Sequence, residues 1–429
     1  MVASVSNASN EARGYEWRII VASSLGNALE WFDFIIFGFL AATMAELFFP
    51  AGDRNTSLLL TFATFGVTFL LRPLGAMLLG SYADRRGRKD ALVLCIGLMT
   101  AGSAIIGLAP TYEVIGIGAP LLVLLARSLQ GLSAGGEFGA TLAFMAEQSG
   151  RRRGYLASWP LASQGLTTIL AAGCGAALAR GFSPEDLKAW GWRIPFLIGV
   201  AIGPIAFYIR ARLVETPAFR SMAPAQAPVR SLMTSGKLGV ALCAGLMAAP
   251  AVMVYVLLYL PVYATTQLGL RAPDAFLGAM VAGAEQLLLI PILGRLSDRY
   301  GGGIFMLCGA VLMLAIAYPL FAWIAFKATA AALMLAQTTI GLVSSIYLGP
   351  LGGVIAKRFP PQTRTSGMAL GHAIGVTSFG GLAPLIFTLL IATTGDKLSP
   401  SIFVAVAAGV SLACVMVVRR DDARREATA

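Results

Sequence analysis

Twelve separate runs of mostly apolar residues, each near the length of a bilayer crossing, take up most of this 429-residue chain. A helix needs about 20 residues to span the hydrocarbon. The runs fall at 18–48, 58–80, 91–109, 118–144, 155–179, 192–212, 236–265, 273–294, 304–325, 330–355, 366–392 and 399–418. The first is long enough to tilt or break. Pro250, Pro291 and Pro384 lie inside runs, which a membrane helix tolerates because neighbours and water serve the freed backbone groups. A closed β-barrel is the alternative, but runs such as 121–126 and 287–291 lack the in-out alternation of barrel strands. Only 12% of the residues are charged, against about 25% in a soluble domain. A soluble globule could not cover so much apolar side chain with so little charge. A disordered chain, a disulfide-stapled secreted domain and an ordinary cytosolic enzyme are excluded, and the class is an all-α membrane protein.

The net charge of +11 invites nucleic acid as a partner, but its distribution argues against that. Of the 32 Lys and Arg residues, 23 fall on one set of loops and the C-terminal tail, among them Arg85, Arg86, Arg88, Arg151, Arg152, Arg153, Lys357 and Arg419. The opposite loops hold 7, and Arg72 and Arg127 lie inside runs. The excess marks the cytoplasmic side and puts both termini there, in keeping with an even number of spans. The polar N-terminus reads as lacking a cleavable signal. The five cysteines stand too far apart for a metal motif and read as small hydrophobes. The glycines at 301–303 are not a phosphate loop, because no Lys-Ser/Thr end follows. No cofactor or metal is expected.

An internal repeat divides the chain. Gly80, Asp84, Arg85 and Gly87 recur as Gly294, Asp298, Arg299 and Gly301, offset by half the chain. The repeat predicts two six-helix halves, residues 1–212 and 236–429, joined by a cytoplasmic loop at 213–235. Both copies face the same side, so the halves are parallel and would rock about a central site. Glycine allows close helix approach, Asp can stabilise a neighbouring helix N-terminus, and Arg can pair with a carboxylate across the seam. Gly80, Asp84, Arg85, Gly87, Arg88, Gly294, Asp298 and Arg299 are therefore expected to form a cytoplasmic gate; the alternative is a tight turn with topology-setting charge. Where the first copy continues with Arg88 and Lys89, the second has Gly302 and Gly303, so the gate is expected to be asymmetric.

Charges inside a membrane are costly and mark function. The first run carries Glu30 and Asp33, three residues apart and on nearly one helix face. Two carboxylates so close in a low dielectric do not both stay ionised, which is what a proton carrier needs. Asp33 is the first choice for proton coupling, with Glu30 beside it and Glu137 the second choice; the alternative is a buried ion pair with Arg127 or Arg72 that locks packing. Arg127 keeps its proton and needs an answering group, either a carboxylate substrate or Asp33 or Glu137. Gln130, one turn on, can offer an amide to a substrate oxygen. Arg72 is either an anion ligand or a packing charge. Glu285 is either part of a substrate site or packing. His372, the one histidine, is either a hydrogen-bonded helix contact or a substrate or proton contact. Trp159 can line the cavity, and the aromatic stripe Trp31, Phe32, Phe34, Phe37 and Phe39 reads as packing.

The unit from Gly80 to Lys89 and the pattern Arg127, Gln130, Gly131 resemble two signatures of the major facilitator superfamily. Over nearly its whole length the chain is similar to the metabolite:proton symporter family. Matching stretches include Gly26–Phe34, Phe69–Gly75, Gln130–Glu137, Trp190–Phe196 and Glu215–Phe219. Phe379–Pro384, Thr394–Pro400 and Thr61–Gly66 resemble the citrate and tricarballylate branch. The resemblance implies secondary active uptake of a small polar metabolite, driven by protons, across a bacterial inner membrane; the leading expectation is a twelve-helix carrier, acting as a monomer, that takes up a small organic anion, a di- or tricarboxylate, with protons. Family members carry citrate, tricarballylate, dicarboxylates, α-ketoglutarate, shikimate, or proline and betaines. The short C-terminus lacks the long coiled coil of the osmosensory members, which disfavours an osmoprotectant. Export of a drug or metabolite is the competing transport function. A membrane enzyme or receptor has no supporting motif.

Overall fold

The apolar runs fold as helices whose breaks fall where proline, glycine or a polar cap interrupts the backbone ladder. The computed structural model describes residues 31–86, 88–135, 153–211, 236–359 and 364–428, and no strand occurs among them. The first span is a bent pair, α1 (Trp31–Phe39) and α2 (Ala41–Phe48), which meet at 72°. The long first run therefore breaks, at Leu40. Then come α3 (Arg54–Leu70) and α4 (Arg72–Arg86). Asp53 caps α3 by accepting the Thr56 N–H at 2.9 Å. The span breaks at Leu71, two residues before Pro73.

Next are α5 (Arg88–Leu108), the short α6 (Tyr112–Ile115), α7 (Gly118–Ala134), α8 (Arg153–Gly181), the short α9 (Pro184–Ala189) and α10 (Ile194–Ala211). Arg193 ties two of their ends together: its guanidinium donates to the carbonyls of Ala189 at 3.1 Å and Ala109 at 3.0 Å. The later helices are α11 (Lys237–Gln267), α12 (Ala272–Tyr300), α13 (Gly302–Lys327), α14 (Ala330–Ala356), α15 (Arg364–Val376), α16 (Ala383–Thr394) and α17 (Pro400–Thr428). One wide π-helical turn, Thr377–Gly381, joins α15 to α16. Eight described stretches are long and apolar enough to cross a membrane alone, the α1–α2 pair makes a ninth, and shorter apolar helices occur in α5, α7 and α10. Leu78, Phe207, Leu288, Tyr318 and Phe326 are exposed on the outside, where hydrocarbon would meet them.

In the second copy of the repeated unit the helix continues through the Asp and Arg, and a single glycine makes the turn to the next helix. α12 runs on through Asp298 and Arg299 to Tyr300 and stops at Gly301, whose φ of 87° is a glycine conformation. The expected linker at 213–235 lies outside the described residues.

The first six spans meet the last six along two seams. α8 and α12 touch through glycines. A Cβ on Gly154 would stand 2.6 Å from the Gly294 carbonyl oxygen, and one on Gly283 would stand 2.7 Å from that of Gly165. On the other seam, α3 faces α11 through aromatic rings: Phe62 on Tyr259 at 5.8 Å, and Phe69 edge-on to Tyr255 at 5.4 Å.

Candidate functional site

The broken first span sets Asp33 against α5, α7 and α10. The α7 spacing puts Arg127 and Gln130 on one face, one turn apart. All three side chains are buried: Arg127 and Gln130 are 0% exposed and Asp33 is 3%. The Asp33 carboxylate accepts the Ser103 hydroxyl of α5 and the Gln130 Nε2–H at 3.3 Å, both at Oδ2. Gln130 Nε2 also donates to Ser103 Oγ at 3.2 Å. The other end of the same amide, Oε1, accepts Arg127 Nη1 at 2.8 Å. Arg127 Nη2 reaches the main-chain carbonyl of Asp33 at 3.4 Å. Its guanidinium lies 3.8 Å from the centre of the Phe37 ring. Asp33 Oδ1 is buried with no hydrogen-bond partner among the described residues. It lies where a Cβ on Gly199 of α10 would be 2.6 Å away.

Among the described residues an amide oxygen, a backbone carbonyl and an aromatic face answer Arg127; Glu137, one of the carboxylates expected to answer it, lies outside them. Among the described residues no carboxylate pairs with it. Burying charge is tolerated when hydrogen bonds and ring faces compensate it.

A second cluster adjoins the first through Phe34. Arg72 opens α4 and is 3% exposed. Its guanidinium stands 4.9 Å from Trp31, 5.0 Å from Phe34 and 4.2 Å from Phe69. Phe34 is also 5.9 Å from the Arg127 guanidinium, so one ring separates the two membrane arginines. The stripe read as packing thus carries cation–π contacts to both. Phe69, 4.2 Å from the Arg72 guanidinium and edge-on to Tyr255 of α11, carries the cluster across to the last six spans, where α15 holds His372. Tyr255 and His372 are both buried, and the Tyr255 hydroxyl has no hydrogen-bond partner among the described residues.

Glu285 and Trp159 belong to other helices. Glu285 is partly buried on α12, with Oε2 lying where a Cβ on Gly341 of α14 would be. Trp159 is partly buried on α8, edge-on to Tyr155 at 6.1 Å. At the basic end, Asp298 accepts the first N–H groups of α8, Gly154 at 2.7 Å and Tyr155 at 3.0 Å, and Gly294 touches Gly154. Arg299 lies 5.2 Å over the ring of its own neighbour Tyr300, and no carboxylate pairs with it among the described residues. Glu30, Glu137 and Gly87 lie outside the described residues. For Gly80, Asp84, Arg85 and Arg88 the description extends only to their helical backbone.

Ser103, Gly199 and Tyr255 join these clusters without a sequence signal. A serine, a glycine and a tyrosine inside apolar helices look like packing until the helices are placed. Among the described residues no group of three His, Cys, Asp or Glu could hold a metal ion.

Residues 19–223 match the family model for sugar (and other) transporters, and residues 275–429 match that for the major facilitator superfamily. The chain is 35% identical over 408 residues to the citrate-proton symporter of Klebsiella pneumoniae, covering 94% of this chain and 92% of that protein. It is 33% identical over 411 residues to the proline/betaine transporter of Salmonella typhimurium, covering 92% of this chain and 82% of that one. Among solved structures, the xylose transporter XylE from E. coli, in a partially occluded inward-open conformation, superposes with a TM-score of 0.74. That match covers 95% of this chain and 98% of the other at 15% identity, a likeness of fold alone.

Proposed function

Because this chain belongs to the major facilitator superfamily, whose members are transporters and not enzymes, we propose that it imports a small organic di- or tricarboxylate, such as citrate or tricarballylate, with protons. It works by alternating access in a bacterial inner membrane, with both termini in the cytoplasm. The observation that carries this reading is the buried set Asp33–Gln130–Arg127, joined through Phe34 to Arg72. A carboxylate in a dry interior binds a proton at modest cost, and two arginines that keep their charge favour an anion. The kinship with a citrate-proton symporter favours the same assignment.

Asp33 takes the coupling proton. Arg72 and Arg127 supply the positive field for the anion. His372, Tyr255, Glu285 and Trp159 shape its surroundings. Halves 1–212 and 236–429 rock against each other. Asp298 on the α8 N-terminus, with Gly294 against Gly154, closes the cytoplasmic end.

A second reading, uptake of proline or a betaine, is favoured by the 33% identity to a proline/betaine transporter. The test is reconstitution in liposomes with labelled citrate, tricarballylate, α-ketoglutarate, shikimate and proline, each with and without an inward proton gradient. Citrate or tricarballylate should accumulate only with the gradient. Accumulation that ignores the gradient ends the symport reading, and uptake of proline without any carboxylate ends the anion assignment.

A further inference from the structure

We propose that Gln130 is a positioning residue that holds the Arg127 guanidinium off the Asp33 carboxylate and so leaves that carboxylate free to take and release a proton; this rests on the coupling role given to Asp33 above. A buried arginine beside a carboxylate would ordinarily close on it as a two-pronged ion pair. Such a pair keeps the carboxylate ionised and resists the proton. Here an amide stands between them, and an amide can satisfy both signs at once. Its Oε1 takes the Arg127 Nη1–H at 2.8 Å. Its Nε2 donates to Asp33 Oδ2 at 3.3 Å and to Ser103 Oγ at 3.2 Å. The second arginine nitrogen is occupied by the Asp33 main-chain carbonyl, and the Phe37 face holds the guanidinium plane.

Two glycines make room for this arrangement. A Cβ on Gly102 would stand 2.6 Å from Gln130 Cγ, and one on Gly199 would stand 2.6 Å from Asp33 Oδ1. Oδ1 is thereby left as the oxygen that receives the proton, while Oδ2 stays in its two hydrogen bonds. Among the described residues, α7 presents Arg127 and Gln130 to Asp33, α5 presents Ser103, and α10 presents Gly199; Glu30, expected on the same helix face, lies outside them.

The test reads protonation directly and needs no substrate. Full-length protein in lipid is titrated by infrared spectroscopy, and the Asp33 carboxyl band is identified by its loss in Asp33→Asn. In Gln130→Ala the arginine can close on the carboxylate, so the midpoint should move to lower pH by about one unit, a tenfold change in proton affinity. In Gln130→Glu the new carboxylate takes the arginine and repels Asp33, so the midpoint should move upward by a similar amount. Gly102→Ala, which displaces Gln130 without removing its amide, should shift in the direction of Gln130→Ala. Opposite shifts in the Ala and Glu variants support the proposal. A midpoint unmoved, or moved the same way by both, overturns it while Asp33 keeps its role. No titrating Asp33 band in the parent protein overturns the coupling reading, and the positioning role with it.

Discussion

The Thr377 hydroxyl donates to the main-chain carbonyl of Phe69 at 2.9 Å, across 308 residues of sequence. The acceptor is not arbitrary. Four residues on from Phe69 stands Pro73, which has no N–H to return to that carbonyl. A helix interrupted inside a membrane must find another donor for the freed oxygen, and here the donor comes from the π-helical turn of the eleventh span. The break in the second span and the wide turn in the eleventh are thus one joint. It sits beside the Arg72 cluster, and any motion that parts these spans must break it.

Thr377→Val keeps the shape and removes the donor. A hydrogen bond between membrane helices is worth about 0.6 kcal/mol on average, and up to about 1.7. We expect a loss of stability of about 1 kcal/mol in thermal or denaturant unfolding. In a Pro73→Ala background the new N–H serves Phe69, so the same substitution should cost much less. Equal costs in the two backgrounds would separate the hydroxyl from the proline break.

Asp298 offers a test of closure at the opposite place. It caps a helix belonging to the first six spans while standing on the eighth. Such a cap contributes about 1 kcal/mol, and the charge at a helix N-terminus about 0.3–1 more. Asp298→Ala should therefore favour opening of that end, and Asp298→Asn, which keeps an acceptor, should do so by about half as much. Ser158, buried against Gly294, can be replaced by Cys in a background free of the native cysteines. Its labelling by a thiol reagent should then rise about fivefold with Asp298→Ala. Unchanged labelling would mean that the cap plays no part in closure.

Much of the fold was legible because hydrocarbon leaves few choices. Run length and charge distribution call for about twelve helices, and the overlong first run contains the break seen at Leu40. Asp33, Arg72 and Arg127 stood out because a charge inside an apolar run is rare. What the sequence could not convey is rotation. It puts Gln130 and Arg127 on one face, but only packed helices reveal that the amide turns to Asp33 and not into an open site. Phe34 and Phe37 read as filler because their partners come from other helices. Ser103 and Gly199 are legible only as neighbours of Asp33.

The glycine seam between α8 and α12 predicts a steric limit. Gly165 and Gly283 touch backbone to backbone, and a side chain on either meets carbonyl oxygen and not a flexible end. Gly165→Val should cost about 1–3 kcal/mol through overpacking and slow transport of every substrate alike. Leu288, on the facing helix α12 with Gly283 but exposed, gives the control: Leu288→Val should change stability by less than about 0.5 kcal/mol. If Gly165→Val unfolds no more readily than Leu288→Val, the helices are further apart than described.

Arg127 and Asp33 should behave as one unit when both are changed. Asp33→Asn removes the proton site, so gradient-driven accumulation should fall at least tenfold while exchange of labelled for unlabelled substrate persists. Arg127→Ala removes the charge opposite that carboxylate and the donor to Gln130 Oε1. With nothing left to favour ionisation, Asp33 should stay neutral and accumulation should fall similarly, with folded yield reduced less than substrate binding. Arg127→Lys keeps the charge but loses the planar face that lies on Phe37, so its accumulation should lie between that of the parent and that of Arg127→Ala. If both residues serve one step, the double variant Asp33→Asn/Arg127→Ala should accumulate no less than either single variant, because the step is already lost. A multiplicative loss, measured as accumulation ratios in the same liposomes, would instead assign the two residues to independent tasks; folded yield falling as much as binding in Arg127→Ala would return Arg127 to a packing role.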